Sequence, residues 1–308
     1  MNDFSLADVH CDTAYELYKR KESFYKNSLA ISAQKVNNFK RYLQVMAIWS
    51  EKTLSDDEAY AQFFEISDYL KKDILNDPNT NIYQGVEIKD KNNFIISVED
   101  ARILNNDISR LKAIYDKGVR IITLLWTGDT CIGGSFDTDN GLTPFGKSVV
   151  KECSELGIIP DISHASVKSA YDVFEICENI STVIASHSDS YDIHPHRRNL
   201  RDEQFKLIRQ YGGIVGLNLC REHLGLSSEN TDETAVIIRH IEHYLSLGGE
   251  NTLCLGCDFD GADTPASFPN VSSLHRLADA MARINYTDEL IEKIFYSNAE
   301  IFILNNIK

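Results

Sequence analysis

The sequence predicts an α/β fold, a (β/α)8 barrel of the TIM type, formed as one domain over residues 1–308. Eight short apolar or β-branched runs alternate with longer segments of helical periodicity. No Pro- or Gly-rich linker and no change in composition divides the chain. A doubly wound open sheet is the alternative, but no G-x-G-x-x-G motif follows the first strand and no P-loop motif occurs. These observations favour the barrel.

The predicted strands are rich in aliphatic and β-branched residues, and they cover residues 4–12, 42–49, 94–99, 119–126, 158–164, 182–187, 213–219 and 252–258. The predicted helices cover residues 56–75, 101–117, 144–156, 166–177, 202–211, 232–247 and 288–304. Residues 56–75 carry an apolar stripe at helical spacing that includes Phe63, Ile66 and Leu70. Gly118 and Gly157 stand where two helices end, and Pro144 suits a first helical turn.

Composition limits the classes of partner. The chain carries 31 basic and 46 acidic residues, a formal net charge of −15, which argues against a nucleic-acid or anionic-membrane surface. The N-terminus lacks the pattern of a secretory signal, and no apolar run of about 18 residues could span a bilayer. Seven cysteines, an odd number, favour free thiols in a reducing compartment. The sequence therefore predicts a cytoplasmic protein.

Potential metal ligands stand at the ends of several predicted strands. His10 and Asp12 are two residues apart, so their side chains leave the first strand on the same face. An imidazole beside a carboxylate is half of a divalent-metal site. The other strand-end residues able to bind a metal are Glu99, His164, His187 and Asp258. Barrels carry their chemistry at the carboxyl ends of the strands, so we expect these six side chains to converge, although each alone could be a structural residue.

The number of these side chains suits two metal ions. One zinc ion needs three protein ligands and an open position, and two clusters that share a carboxylate can hold a pair of ions. We expect His10 and Asp12 to bind one ion, His164 and His187 the other, and Glu99 to bridge them. A water bridging both ions would lose a proton near neutral pH and act as the nucleophile. Asp258 is then free to accept that proton and pass it to a leaving amine.

The residues around these positions form motifs spread over most of the chain, namely V-H-C-D-T at 9–13, S-V-E at 97–99, G-L-T-P-F-G at 141–146, G-I-I-P-D-I-S-H at 157–164, A-S-H-S at 185–188, R-R-N at 197–199 and G-C-D-F-D-G at 256–261. In content and order they resemble those of the membrane dipeptidase (renal dipeptidase) family of dizinc peptidases, especially its smaller soluble bacterial members. The resemblance implies a TIM-type barrel, two zinc ions per chain, a dipeptide substrate and a possible homodimer. It also implies tolerance of a D-residue on the C-terminal side of the substrate.

The resemblance implies the same site residues as the residue analysis and adds one. His10, Asp12, Glu99, His164 and His187 correspond to the family's zinc ligands, and Asp258 to its acid/base residue. Arg198 matches the arginine that holds the substrate's terminal carboxylate, a role suited to a bidentate guanidinium. Without the resemblance, Arg198 could equally form a salt bridge at the rim.

One position departs from the family pattern. Where the mammalian enzymes have a histidine that contacts substrate near the scissile carbonyl, this chain has Trp126. An indole cannot replace the hydrogen bonds of an imidazole, so we expect Trp126 to form an apolar wall against the substrate. His194 and His196 flank Pro195, and we interpret them as loop residues rather than substrate contacts.

These observations predict a zinc-dependent dipeptidase that hydrolyses an amide bond with a metal-bridging hydroxide. Trp126 leaves open a second reading, a dizinc hydrolase of another small amide, a lactam or an ester. A third reading is a barrel that binds a metal or a peptide without turnover. The complete ligand set together with Asp258 argues against this third reading.

Overall fold

A parallel β-sheet organises the computed structural model, which describes residues 4–85, 92–178, 181–226 and 232–308. Its strands are β1 (Leu6–Asp8), β2 (Tyr42–Ile48), β3 (Thr80–Ile82), β4 (Asn92–Glu99), β5 (Val119–Thr123), β6 (Ile159–Asp161), β7 (Val215–Leu217) and β8 (Leu253–Leu255). Seven of them form one path in the order β6-β5-β4-β2-β1-β8-β7. The eighth, β3, was not predicted; it pairs with the first half of β4, and β5 pairs with the second half.

The two ends of this path approach each other through residues 184 and 185. Ile184 forms a single parallel bridge with Asp161 of β6, and Ala185 forms another with Val215 of β7. The predicted sixth strand is thus reduced to two bridges. The next two backbone N–H groups donate to side chains instead of to a strand. The N–H of Ser186 donates to the Asp161 carboxylate, and the N–H of His187 donates to the Ser163 hydroxyl. The α/β class is confirmed, with helices and a parallel sheet in which seven strands form one path, whereas closure into an eight-stranded barrel stays a prediction.

The helices follow the strands along the chain, and they are α1 (Thr13–Arg20), α2 (Ala33–Val36), α3 (Asp56–Leu75), α4 (Ser109–Asp116), α5 (Pro144–Leu156), α6 (Val167–Cys177), α7 (Asp202–Gln210), α8 (Arg221–Leu224), α9 (Glu233–Ser246), α10 (His275–Arg283), α11 (Asp288–Glu292) and α12 (Asn298–Asn306). Short 3-10 turns span Ala101–Leu104, Gly249–Asn251 and Val271–Ser273, and a π-helical turn spans Lys293–Ser297. The bounds predicted for α3 and α5 are confirmed.

The helix predicted over residues 101–117 is interrupted. A 3-10 turn ends at Leu104, and α4 starts only at Ser109. Asn105 and Asn106 lie between them with φ angles of 41° and 59°. Asparagine tolerates this left-handed conformation because its side chain can hydrogen-bond locally, so the apolar periodicity alone overestimated the helix.

The interior of the sheet is filled by side chains that alternate along the strands. Ala7 and Leu43 belong to one buried cluster, called the interior cluster below. Their neighbours Leu6 and Tyr42 belong to a second buried cluster, under the helices. Phe302 of α12 joins the interior cluster, as do Ile303 and Ile307. Burying each such side chain contributes roughly 1.5–3 kcal/mol. This C-terminal segment leaves the opposite end, where the strands run into their loops, available for a site.

The seven cysteines are all free, and five of them are buried. Cys254 and Cys257 have C-x-x-C spacing, yet burial raises the pKa of both thiols well above the usual value, which opposes reactivity. In the described ranges, no helix combines the length and the apolar character that crossing a membrane requires.

Candidate metal centre

His10 and Asp12 lie in the short connection between β1 and α1, and the backbone holds both in place. The N–H of His10 donates to the Asp8 carboxylate at 3.1 Å, and the N–H of Asp12 donates to the carbonyl of Phe259 at 2.9 Å. These bonds fix the chain beyond the last regular residue of the strand. The side chain of His10 is thereby held inside the site, with only 1% of its surface exposed.

The Nε2 atom of His10 faces three carboxylates. It lies 3.5 Å from Asp12, 3.7 Å from Glu99 and 3.8 Å from Asp258, too far for a hydrogen bond in each case. This buried nitrogen has no hydrogen-bond partner among the residues that the structure describes. Burial lowers the pKa of His10, but the three carboxylates outweigh burial and raise it to about 10. The arrangement concentrates negative charge around an unused nitrogen, as a cation site requires.

His164 and His187 form a second cluster with the other oxygen of Glu99. The Oε1 atom of Glu99 lies 3.0 Å from Nε2 of His164 and 3.5 Å from Nε2 of His187. Burial, reinforced by Asp12, raises the pKa of Glu99 well above its usual value. Glu99 therefore presents one oxygen to each cluster, the position of a bridging carboxylate.

The hydrogen bonds at the far sides of the two rings determine their tautomers. Nδ1 of His164 lies 3.0 Å from the carbonyl of Trp126, which can only accept. Nδ1 of His187 lies 2.8 Å from the Ser186 hydroxyl, whose own proton goes to Asp161 at 2.5 Å. Both Nδ1 atoms therefore carry the proton, and both Nε2 atoms present lone pairs. Those lone pairs face each other across 2.9 Å, an arrangement that a metal ion between them would stabilise.

Asp161 and Ser186 support the ligands, and the sequence analysis did not identify them. The Asp161 carboxylate accepts from the hydroxyls of Thr123 at 2.6 Å and Ser186 at 2.5 Å, and from the backbone of Ser163 and Ser186 at 2.9 Å each. The Ser186 hydroxyl also lies 3.4 Å from Nδ1 of His10. The available signal was their place in the motifs, Ser186 directly before His187 and Asp161 three residues before His164.

Asp258 lies at the edge of the first cluster. It adopts a φ of 59°, and its Oδ2 accepts from the side-chain amide of Asn218 at 3.2 Å. Burial raises the pKa of Asp258 to about 6, against the lowering effect of His10. Gly261 allows this packing, because a Cβ atom there would lie 2.0 Å from Asp12 and 2.8 Å from Asp258. Asn218 was another residue that the sequence analysis missed.

The donor sets suit divalent metals. Two groups of three buried residues have ligand atoms within 4.8 Å of one another: His10, Glu99 and His187, and His10, Asp12 and Asp258. The structure thus brings all five predicted ligands and Asp258 together, while their individual roles stay predictions. Elsewhere in the described chain, Asp192, Asp202 and His243 form a more exposed group.

A cavity of about 790 Å³ opens above the metal centre. Tyr15, Trp49 and Trp126 line one part of it, and the indole centroids of Trp49 and Trp126 are 5.1 Å apart, edge to face. Trp126 thus lies in an aromatic wall of the cavity, and its contact with a substrate stays a prediction. His223 and Cys220, from the loop after β7, line another part. Neither was singled out from the sequence.

Arg198 is close to the centre but is not among the cavity-lining residues. It is buried, and one guanidinium nitrogen donates to the carbonyl of His187 at 3.1 Å. Its Nε has no partner in the part of the chain that the structure describes. His194 and His196 do not line the cavity either, and their backbone groups form a turn with Asn199, in agreement with the loop interpretation.

Two histidine–carboxylate clusters beneath a cavity, at the ends of parallel strands, define a metal-dependent hydrolase of α/β fold. The family model described as membrane dipeptidase (peptidase family M19) matches residues 1–301. The chain therefore belongs to the membrane dipeptidase family, and by class it is a metallo-dipeptidase.

Solved structures and a curated relative are similar over most of the chain. The structure of dipeptidase AC, a metallopeptidase of family M19, has a TM-score of 0.91 at 23% identity, covering 99% of both chains. A metallopeptidase from Rhodobacter sphaeroides, liganded with a phosphinate mimic of the dipeptide L-Ala-D-Ala, has a TM-score of 0.91 at 22% identity, covering 99% of this chain and 100% of the other. An uncharacterized Klebsiella pneumoniae protein encoded in the pqqA 5′ region is 30% identical over 214 residues, 66% of this chain and 78% of its own.

Proposed function

We propose that this protein is a two-zinc dipeptidase. His10 and Asp12 would hold one ion, His164 and His187 the other, and Glu99 would contact both. The observation that carries the proposal is the pair of facing Nε2 lone pairs on His164 and His187, 2.9 Å apart. Imidazole and carboxylate donors, with no thiolate in the set, match the ligands of catalytic zinc sites. Zinc ions bound there would supply a water of lowered pKa as the nucleophile and polarise the scissile carbonyl.

The chain's own residues would manage the protons and the position of the substrate. Asp258 would accept a proton at its carboxylate and hand it to the nitrogen of the leaving amine. The amide of Asn218 holds that carboxylate in place at 3.2 Å. Arg198 would attract the substrate's terminal carboxylate through the positive charge of its guanidinium. One nitrogen of that group donates to the carbonyl of His187, which holds it beside the second cluster. The aromatic wall with Trp126 would exclude water from one side of the substrate.

We propose a dipeptide as the substrate, and a D-residue on its C-terminal side as an accepted variant. A cavity of about 790 Å³ is large enough for a dipeptide. The Rhodobacter sphaeroides metallopeptidase binds a mimic of L-Ala-D-Ala, which supports the choice of substrate. A second candidate is another small amide, a lactam or an ester, favoured by the indole of Trp126, whose ring centroid lies 6.5 Å from that of His164. Membership of a peptidase family argues against the reading as a barrel without turnover.

Several further assignments are part of the proposal. The bridges at Ile184 and Ala185 support closure of the sheet into a (β/α)8 barrel that forms one domain over residues 1–308. Seven free cysteines favour a reducing compartment, for which we propose the cytoplasm. A homodimer follows only from the family resemblance, and light scattering would test it.

The deciding experiment is steady-state hydrolysis of a panel of L,L- and L,D-dipeptides by zinc-loaded protein beside a chelator-stripped sample. We expect turnover that disappears with the metal and returns on adding zinc. The same panel extended to lactams and esters would show which class of substrate Trp126 favours. If protein with two bound zinc ions per chain hydrolysed no dipeptide, the dipeptidase proposal would be wrong.

A further inference from the structure

A second cavity, of about 410 Å³, has a lining whose charge is opposite to that of the whole chain. Its charged lining residues are Asp139, Lys168, Arg197 and Arg201, and we call it the basic cavity. Three cationic side chains and one carboxylate leave a net charge of +2, in a chain with a formal net charge of −15. A cleft lined mainly by one sign of charge concentrates counter-ions, so this cavity attracts anions.

Two of the three cations are not neutralised by the protein. Within the residues that the structure describes, Lys168 and Arg201 have no carboxylate at ion-pair distance. Their acidic neighbours along the chain have other partners: Asp172 pairs with a lysine of α5 at 2.9 Å, and Asp202 pairs with a histidine of α9 at 2.7 Å. The charges of Lys168 and Arg201 are therefore available to a ligand.

The third cation and the aromatic lining give the basic cavity a fixed shape. Arg197 donates to the carbonyl of Thr138 at 2.8 Å and forms an ion pair with Asp139, which joins the loop after β5 to the segment before α7. The guanidinium of Arg201 lies over the ring of Tyr191, 4.5 Å from its centroid. Groups held in place before binding lose less conformational freedom when a ligand arrives.

Apolar side chains complete the lining. Phe136 and Val167 contribute to the basic cavity, and the ring centroid of Phe136 lies 5.9 Å from that of His164. Phe136 is thus shared between this cavity and the second metal cluster. A volume of about 410 Å³ falls within the range of roughly 300–1,000 Å³ that is usual for small-molecule pockets. The lining therefore suits a small organic molecule with two negative charges.

We propose that the basic cavity binds a small organic dianion, a phosphate monoester or a dicarboxylate, through Lys168 and Arg201. A guanidinium binds either kind of oxyanion with paired N–H donors, and an ammonium adds a compact positive charge. This site is distinct from the metal centre, and the inference does not rest on the proposed dipeptidase function.

The test is calorimetric titration of zinc-loaded protein with phenyl phosphate and with phthalate, an aromatic phosphate monoester and an aromatic dicarboxylate. We expect the wild type to bind at least one of them about tenfold more tightly than benzoate, which carries a single negative charge. Lys168→Gln/Arg201→Gln should weaken that binding at least about tenfold. The probe that binds more tightly assigns the anionic group of the ligand.

Lys151→Gln/Arg239→Gln is the matched control. It also removes two positive charges, from exposed side chains of α5 and α9 that do not line the basic cavity, and it should leave the affinity unchanged. Lys168→Arg keeps the charge and should retain binding. Arg197 is left unchanged because its loss would separate the two segments that it joins. An equal zinc content in all of these proteins would show that the metal centre is intact.

Equal affinities of the wild type and Lys168→Gln/Arg201→Gln would overturn the inference, because an anion bound only at the metal centre meets the same groups in both proteins. An equal loss in the two double variants would overturn it as well, since the loss would then follow net charge and not a site. Absence of binding of both dianions to the wild type would have the same consequence. The single variants Lys168→Gln and Arg201→Gln, each expected to weaken binding about threefold or more, keep the test decisive if the double variant does not fold.

Discussion

Nε2 of His164 lies 2.9 Å from Nε2 of His187, with both rings protonated on the opposite nitrogen. Neither atom can donate a hydrogen bond to the other. A positive charge placed between or beside the two lone pairs would stabilise the contact. A buried carboxylate oxygen of Glu99 lies 3.0 Å from one of them and 3.5 Å from the other, so the pair is one corner of a larger ligand set.

Removing one ring of this pair should remove a metal ion. We expect His164→Ala to lower the zinc content from about two to about one per chain and to abolish most turnover, because three ligands are the usual minimum for catalytic zinc. Metal analysis after dialysis would measure the content. His194→Ala is the matched control, since that histidine lies outside the cavity lining and should leave both values unchanged. Full zinc content in His164→Ala would contradict the assignment of this ligand.

The acid/base role of Asp258 predicts a separation between metal binding and turnover. Asp258→Asn keeps the shape of the side chain but cannot carry the proton, so kcat should fall about 10²–10⁴-fold while both zinc ions stay bound. Steady-state kinetics and metal analysis on the same sample would check this. Asp263→Asn, at an exposed carboxylate of the cavity rim, is a control that should retain most activity. A variant at position 258 with wild-type kcat would exclude Asp258 as the proton carrier.

Ser186 should tune metal affinity without binding metal itself. Its hydroxyl accepts from His187 and donates to Asp161, which holds the imidazole with Nε2 toward the centre. Ser186→Ala leaves the ring free to rotate and to change tautomer, so zinc affinity should fall about 10–100-fold. Competition with a fluorescent chelator would measure the change. Ser190→Ala serves as a control, because that buried hydroxyl has no hydrogen-bond partner among the described residues. Equal affinity in Ser186→Ala and wild type would show that Asp161 and Ser186 do not position His187.

His240, buried in α9, should make the fold sensitive to acid. Its Nδ1 accepts from the N–H of Ser190 at 3.1 Å, and its Nε2 donates to the carbonyl of Leu224 at 3.3 Å, so the neutral ring fits both partners. Burial lowers the pKa of His240 to about 4, below its ordinary value of 6.5. The unfolded chain therefore binds the proton first, and stability falls as the pH drops from about 6.5 toward 4, by up to about 3 kcal/mol.

Urea unfolding of metal-free protein at several pH values would test this effect. We expect His240→Gln to reduce the loss of unfolding free energy between pH 6.5 and 4 relative to wild type, because glutamine can serve both partners without titrating. His243→Gln, three residues further along α9, controls for removal of a histidine and should not reduce the loss. Identical pH dependence in wild type and His240→Gln would refute the assignment.

Sequence patterns were sufficient to predict helices whose bounds depend on residues close together in the chain. The apolar stripe in residues 56–75 and the pair of Pro144 and Gly157 correctly located α3 and α5. The patterns of apolar residues gave wrong predictions where side chains compete with secondary structure for the hydrogen bonds of the backbone. The predicted sixth strand contains Ser186, whose N–H donates to the side-chain carboxylate of Asp161 instead of to a backbone carbonyl of a neighbouring strand. At residues 105 and 106, asparagines in the left-handed conformation break the predicted helix.

The sequence by itself determined the class of the fold and the types of ligand, because strand ends in a parallel sheet meet at one edge. It could not determine how each ligand is held. His187 donates to its neighbour Ser186, but the direction of this hydrogen bond depends on Asp161, 25 residues from Ser186. Asn218 reaches Asp258 across 40 residues. His223 faces the cavity only because Asn218 and His196 pack around it. Tautomers and free donors follow from hydrogen bonds between distant segments, so only the tertiary structure decides which atoms meet the metals and the substrate.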